Sequence, residues 1–162
     1  MLSGSPINVA ANSDPTATIT ATLIGDPDNI TYLTVFAPTN ATFESANITA
    51  DSFDAATWDA IIRNHVVIGQ GTATNDLVQP SDLTTCATFT TAAGGTLTIF
   101  NDTNTVPADN GLGIFIDSDG DVDCTLADMG ASLTNLDAEV AVADAAAGIN
   151  GTIHVIAGIL TP

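Results

Sequence analysis

Apolar and polar positions alternate most clearly along the stretch from Thr31 to Phe43. Leu33, Val35 and Ala37 fall on one side of a period of two and Tyr32, Thr34 and Phe36 on the other, which predicts a strand covered on both faces. Pro38 removes a ladder donor, so pairing should stop there. Thr39 or Asn40 can then cap a turn that returns Phe43 to the core. From Asp54 the period changes: Trp58, Ile61, Ile62 and His65 recur at helical spacing, predicting a helix that ends near Asn64. Val66 to Ile68 reads as a short buried strand before the break at Gly69-Gln70-Gly71.

Further along, residues 74 to 79 suit one helical turn closed by Pro80. Leu83 to Thr91 should pair with Gly95 to Phe100 as a hairpin across Ala92-Ala93-Gly94-Gly95. Gly111 to Ile116 predicts another strand, residues 117 to 124 an acidic loop and residues 125 to 137 irregular chain. Ala138 to Ala143 predicts a strand, Asp144 to Gly148 the approach to a closing turn, and the chain from Asn150 a last strand reaching toward Pro162. Near the start, Asp14-Pro15 looks like a helix opening. Thr16 to Ile24, however, alternates at period two and is rich in threonine, which favours a strand. Many short strands with segregated helices imply an α+β class.

Three stretches carry a family likeness: Thr34-Val-Phe-Ala-Pro-Thr-Asn40 with Phe43, Asn64-His-Val-Val67, and Asn150-Gly-Thr-Ile-His-Val-Ile156. In this order they resemble the fasciclin-like (FAS1) domain family. The resemblance implies a sandwich or wedge of about seven or more short strands with several short helices packed on one side. It also implies a single domain over 1–162, whose segment 1–30 is atypical because the family has helix there. Thr34, Phe36, Pro38, Thr39, Asn40, Phe43, His65, Asn150, Gly151 and His154 are then structural motif positions. Asn64 stands where the family often has an aromatic residue before the histidine, a pair linked to integrin recognition in animal relatives.

Composition narrows the partners. The chain has 162 residues, 45% of them hydrophobic, and nineteen carboxylates against one basic side chain, Arg63, for a formal charge of −18. Interspersed apolar residues argue for folding, while the charge excludes nucleic acid and anionic membrane surfaces as partners. Self-repulsion on that scale is eased by salt, pointing to a saline exterior. No apolar run is long enough for membrane insertion, and no leader pattern is visible.

The candidate chemistry is sparse. His65 and His154 are the only imidazoles. They could form a metal pair or a base, but their apolar strand context favours neutral rings hydrogen-bonded to backbone carbonyls. No nucleophile motif, phosphate loop or Cys-x-x-Cys appears, so no enzymatic activity is expected. Cys86 and Cys124, the only cysteines, are expected to form a disulfide. Asp117, Asp119, Asp121 and Asp123 alternate around Gly120 and could coordinate Ca2+ through side-chain oxygens, or form no more than a solvated acidic loop. No cofactor is expected to be essential. Of five Asn-x-Thr sequons, Asn29, Asn47 and Asn101 are glycosylation candidates, whereas Asn40 and Asn150 sit in motif turns. Together with the resemblance, these features suggest a secreted or cell-surface domain for adhesion or matrix binding, with a protein or glycan ligand. The alternative is a structural subunit of an extracellular filament or layer, homo-assembled by pairing of strand edges.

Overall fold

A computed structural model describes residues 32–70, 77–101, 113–120, 136–147 and 151–161. Seven strands are described: β1 (Leu33–Pro38), β2 (Val66–Ile68), β3 (Thr88–Thr90), β4 (Thr96–Asn101), β5 (Ile114–Asp117), β6 (Ala138–Ala147) and β7 (Gly151–Ile156). They pair in the order β2-β1-β7-β6-β5-β4-β3. Two helices, α1 (Asn40–Ser45) and α2 (Ala55–Asn64), and a 3-10 turn at Pro80–Asp82 complete the described elements.

The sheet nearly closes on itself. Val67 bridges Thr91, and the Ala92 N–H donates to the Val66 carbonyl at 2.7 Å, so the two outermost strands meet. Beyond that contact the Gln70 side chain takes over. Its Nε2 donates to the Thr90 carbonyl and its Oε1 accepts the Thr90 N–H, both at 2.6 Å, so one carboxamide replaces a rung of the ladder. The interior of this curved sheet is filled from all seven strands, for instance by Phe36, Val67, Phe89, Ile99, Ile116, Val140 and Ile156.

Strand β1 has both faces covered because it lies between two cores. Phe36 points into the main core, while Leu33 and Val35 pack with Ile62 and Val66 beneath α2. Pairing ends at Pro38, opposite Ile156. Thr39 caps α1, its hydroxyl accepting the Thr42 N–H at 3.1 Å. Asp54 caps α2 through the Thr57 N–H at 2.8 Å, and those hydrogen bonds hold its carboxyl below the usual range. Phe43, Trp58 and Ile61 form the third core, between the helices.

Three local expectations change. Pro80 opens a 3-10 turn, and residues 77–79 before it are not helical, while residues 74–76 of the turn expected there lie outside the described residues. Gln79 is extended (φ −91°, ψ 164°), the conformation a following proline favours, and the proline ring then presets the first turn position. Strand β6 runs through Ala147 because irregularities in its pairing, with Asp144 at φ 53°, absorb extra residues opposite β7. The last strand stops at Ile156. There the chain presses on the start of β6, where a Cβ at Gly158 would fall onto the Asp137 carbonyl oxygen and Ala138. Residues 16–24, including the strand expected there, lie outside the described residues.

Candidate functional site

Strands β1 and β7 run parallel with Phe36 directly opposite His154, so the His154 ring stacks on Phe36 at a centroid distance of 5.3 Å. Its Nε2 lies 3.0 Å from the Val78 carbonyl and must donate, because a carbonyl only accepts; its Nδ1 accepts the Asp144 N–H at 3.1 Å. Two rungs away, β1 supplies Thr34, whose hydroxyl accepts the Val78 N–H at 2.9 Å. Both backbone groups of buried Val78 are thus held by side chains from the two motif strands, which explains why polar residues occupy core positions.

His65 does the same at the end of α2. Its Nδ1 donates to the Ile61 carbonyl at 2.7 Å, and its Nε2 accepts the Leu160 N–H at 3.0 Å. The two rings therefore carry opposite tautomers, each neutral and each with one nitrogen occupied as an acceptor. Burial pushes the His65 pKa down to about 4 against the weaker pull of the Ile61 carbonyl. Burial also lowers that of His154, opposed by the Val78 carbonyl and the Asp144 charge. Neither ring is placed to act as a base on a substrate, since both nitrogens of each are engaged inside the fold.

Asn64 is also buried. Its Oδ1 accepts the Thr91 hydroxyl at 3.1 Å, while Nδ2 has no partner. The side chain in the place of the family's aromatic residue therefore supports the β3–β4 hairpin rather than facing solvent. Arg63, the single basic side chain, pairs with Asp59 at 2.7 Å along α2.

The acidic loop begins where β5 ends. Because Ile116 pairs with Ala138, the next rung sets Asp137 across from Asp117. One carboxylate oxygen from each of Asp117, Asp119 and Asp137 lies within 4.8 Å of the others. Asp117 is buried and accepts the Gly120 N–H at 2.9 Å; Asp137 accepts the N–H and hydroxyl of Ser118, both at 2.7 Å. Gly120 has φ 75° with open space around its Cα, so backbone conformation rather than crowding calls for glycine there. Oxygen-only donors of this kind suit a hard divalent cation. Asp137 is absent from the sequence-based set, for it stands far from the Asp-rich run and only the β5–β6 register reveals it. Asp121 and Asp123 lie outside the described residues.

Asn150, Cys124 and Asn29 lie outside the described residues as well. Gly151 opens β7 opposite Leu33. Cys86 has φ 66°, and no free thiol is present among the described residues. Asn40 and Asn47 are exposed, whereas Asn101 is half-buried with its Nδ2 donating to the Leu83 carbonyl at 2.9 Å. Among the described residues the large apolar side chains that are exposed, Phe53, Ile68 and Val142, belong to three different elements or loops.

The sequence profile of the fasciclin domain matches residues 12–162. The chain belongs to the fasciclin domain family. Among solved structures, a FAS1 domain pair from the insect cell adhesion molecule Fasciclin I is similar to this chain, with a TM-score of 0.60 and 18% identity. The similarity covers 95% of this chain and 43% of that one, so the chain spans less than half the length of its structural relative. At this identity the likeness shows the fold alone. No curated protein sequence matches. In this fasciclin domain the three motif stretches meet at one place: β1 and β7 pair along their length, and His65 and His154 tie the flanking segments to them. No helix among the described residues is long and apolar enough to cross a membrane.

Proposed function

We propose that this fasciclin domain is a non-enzymatic interaction module of a secreted or cell-surface protein, binding a protein or glycan ligand in adhesion or at an extracellular matrix. The observation that carries this reading is that the only two imidazoles are consumed in holding backbone, which leaves the outer, strongly acidic surface as the part free to act. Its setting is a saline exterior, with the strands forming the family's wedge and the helices packed to one side. Ca2+, not essential to folding, is coordinated by Asp117, Asp119 and Asp137 with Asp121 or Asp123, and Cys86 pairs with Cys124. Such a bridge closes a loop of about 40 residues, contributing about 4 kcal/mol in the chain-entropy view.

The rival, a filament or layer subunit assembled by edge pairing, is weakened by the bonds between β2 and β3, because those outer strands already partner each other. It would have to use the segment around residues 16–24. Two measurements separate the readings. Domain-coated beads are expected to bind matrix proteins or a glycan array in a saturable way while sedimentation shows a monomer. Concentration-dependent assembly without saturable binding would instead favour the structural subunit.

A further inference from the structure

Helix α1 ends in a turn built around Asn47. The Asn47 N–H donates to the Glu44 carbonyl at 3.1 Å and the Ile48 N–H to the Phe43 carbonyl at 2.9 Å, the two bonds of a Schellman closure. Ile48 completes the motif by packing against Phe43, Trp58 and Ile61. The residue between them must be left-handed, and Asn47 has φ 55°. Glycine usually fills that place; this chain uses asparagine, follows it with Thr49, and leaves both side chains exposed. The sequon is therefore pinned to the core by its middle residue and open to solvent at both ends.

We propose that Asn47 is an attachment site for an N-linked glycan. An N-glycan is bulky and hydrated, so a folded domain retains it only where the carboxamide nitrogen faces water. Asn47 meets that condition and Asn101 does not: Asn101 Nδ2 is spent on the Leu83 carbonyl, and its backbone N–H and carbonyl are both held by the Thr85 hydroxyl. Asn40 is exposed, but its sequon lies within the first turn of α1, whereas the Asn47 sequon lies beyond the end of that helix; the hydroxyls of Thr42 and Thr49 each meet a neighbouring hydroxyl and do not separate the two. The donor class is an oligosaccharide linked to a polyisoprenyl pyrophosphate. The carboxamide nitrogen attacks the anomeric carbon, the bond from that carbon to the pyrophosphate oxygen breaks with its electron pair leaving on the pyrophosphate, and the nitrogen gives up one proton.

The inference rests on the exterior location proposed above, and its test is independent of any adhesion ligand. The full chain is secreted from a eukaryotic cell line behind a cleavable leader. Glycans are then released enzymatically in heavy-oxygen water, and the resulting label is mapped by peptide mass spectrometry. Label is expected at Asn47 in most molecules and not at Asn101. Thr49→Ala should abolish the Asn47 label while leaving asparagine in its left-handed place, and Thr49→Ser should retain it. An unlabelled Asn47 in secreted, folded protein, or label at Asn101 matching that at Asn47, would overturn the proposal. Failure of the adhesion reading would leave this result unchanged.

Discussion

The paired strands β1 and β7 and the acidic corner between β5 and β6 handle polar groups in opposite ways. At the first, Thr34, His65 and His154 are buried and each hydrogen-bonds to backbone across a large sequence separation. At the second, three carboxylates converge with no basic side chain near them in sequence. Buried polar groups that are fully matched specify a structure, whereas clustered like charges raise its energy by about 1 kcal/mol per close pair even in a water-like dielectric. The first region therefore helps to specify the fold of this chain, and the second is where it has room for a further property.

The largest expected effect comes from unmatching the first region. His154→Phe keeps a ring against Phe36 but strands the Val78 carbonyl and the Asp144 N–H, and should cost about 3–5 kcal/mol in denaturant unfolding. Thr34→Val strands only the Val78 N–H and should cost about 1–3 kcal/mol. A loss in His154→Phe no larger than in Thr34→Val would mean that the Asp144 contact contributes nothing.

Next in size is the response to acid. The folded pKa of His65 is depressed to about 4, so its contribution is complete above the unfolded value near 6.5 and is lost as pH falls from there toward 4. At about 1.4 kcal/mol per unit, the loss approaches 3 kcal/mol, and His154 adds to it in the same direction. Unfolding free energy measured from pH 7 to 4 should slope downward, and a His65→Asn/His154→Asn variant, though weaker throughout, should slope less.

The acidic corner makes the contrasting prediction. Calcium at a hundredfold excess over its dissociation constant should add about 2.7 kcal/mol, and Asp137→Asn should reduce that gain although the residue lies outside the Asp-rich run. Ionic-strength-matched sodium chloride is the control for screening. Equal melting temperatures in the two salts would reduce this corner to a solvated acidic turn.

The smallest effect concerns the seam that closes the sheet. Gln70→Ala removes two hydrogen bonds at an exposed position, for about 1 kcal/mol of stability. It also uncovers the Thr90 backbone, so self-association by sedimentation should rise, and no change in either would deny Gln70 its part in closing the sheet.

Features with a local cause were legible in the sequence. The alternation around Val35, the stripe of Trp58, Ile61 and Ile62, the cap at Asp54 and the hairpin glycines each act within a few residues, and the structure places them accordingly. Features set by register were not legible. Asp137 meets Asp117 only because Ile116 pairs with Ala138, and the Gln70 carboxamide acts as a strand rung only because β3 arrives beside it. The left-handed conformations of Cys86 and Asp144 left no mark in the pattern either, since neither is a glycine.

The central claim, that both histidines are neutral clamps on the backbone, is tested most directly by nitrogen-15 NMR of the imidazole rings at pH 7. His65 should show its proton on Nδ1 and His154 on Nε2, and the His65 resonances should remain neutral down to about pH 4 unless the domain unfolds first. A protonated ring at pH 7, rapid averaging of the two tautomers, or a pKa at or above the ordinary histidine value in either ring would contradict the account.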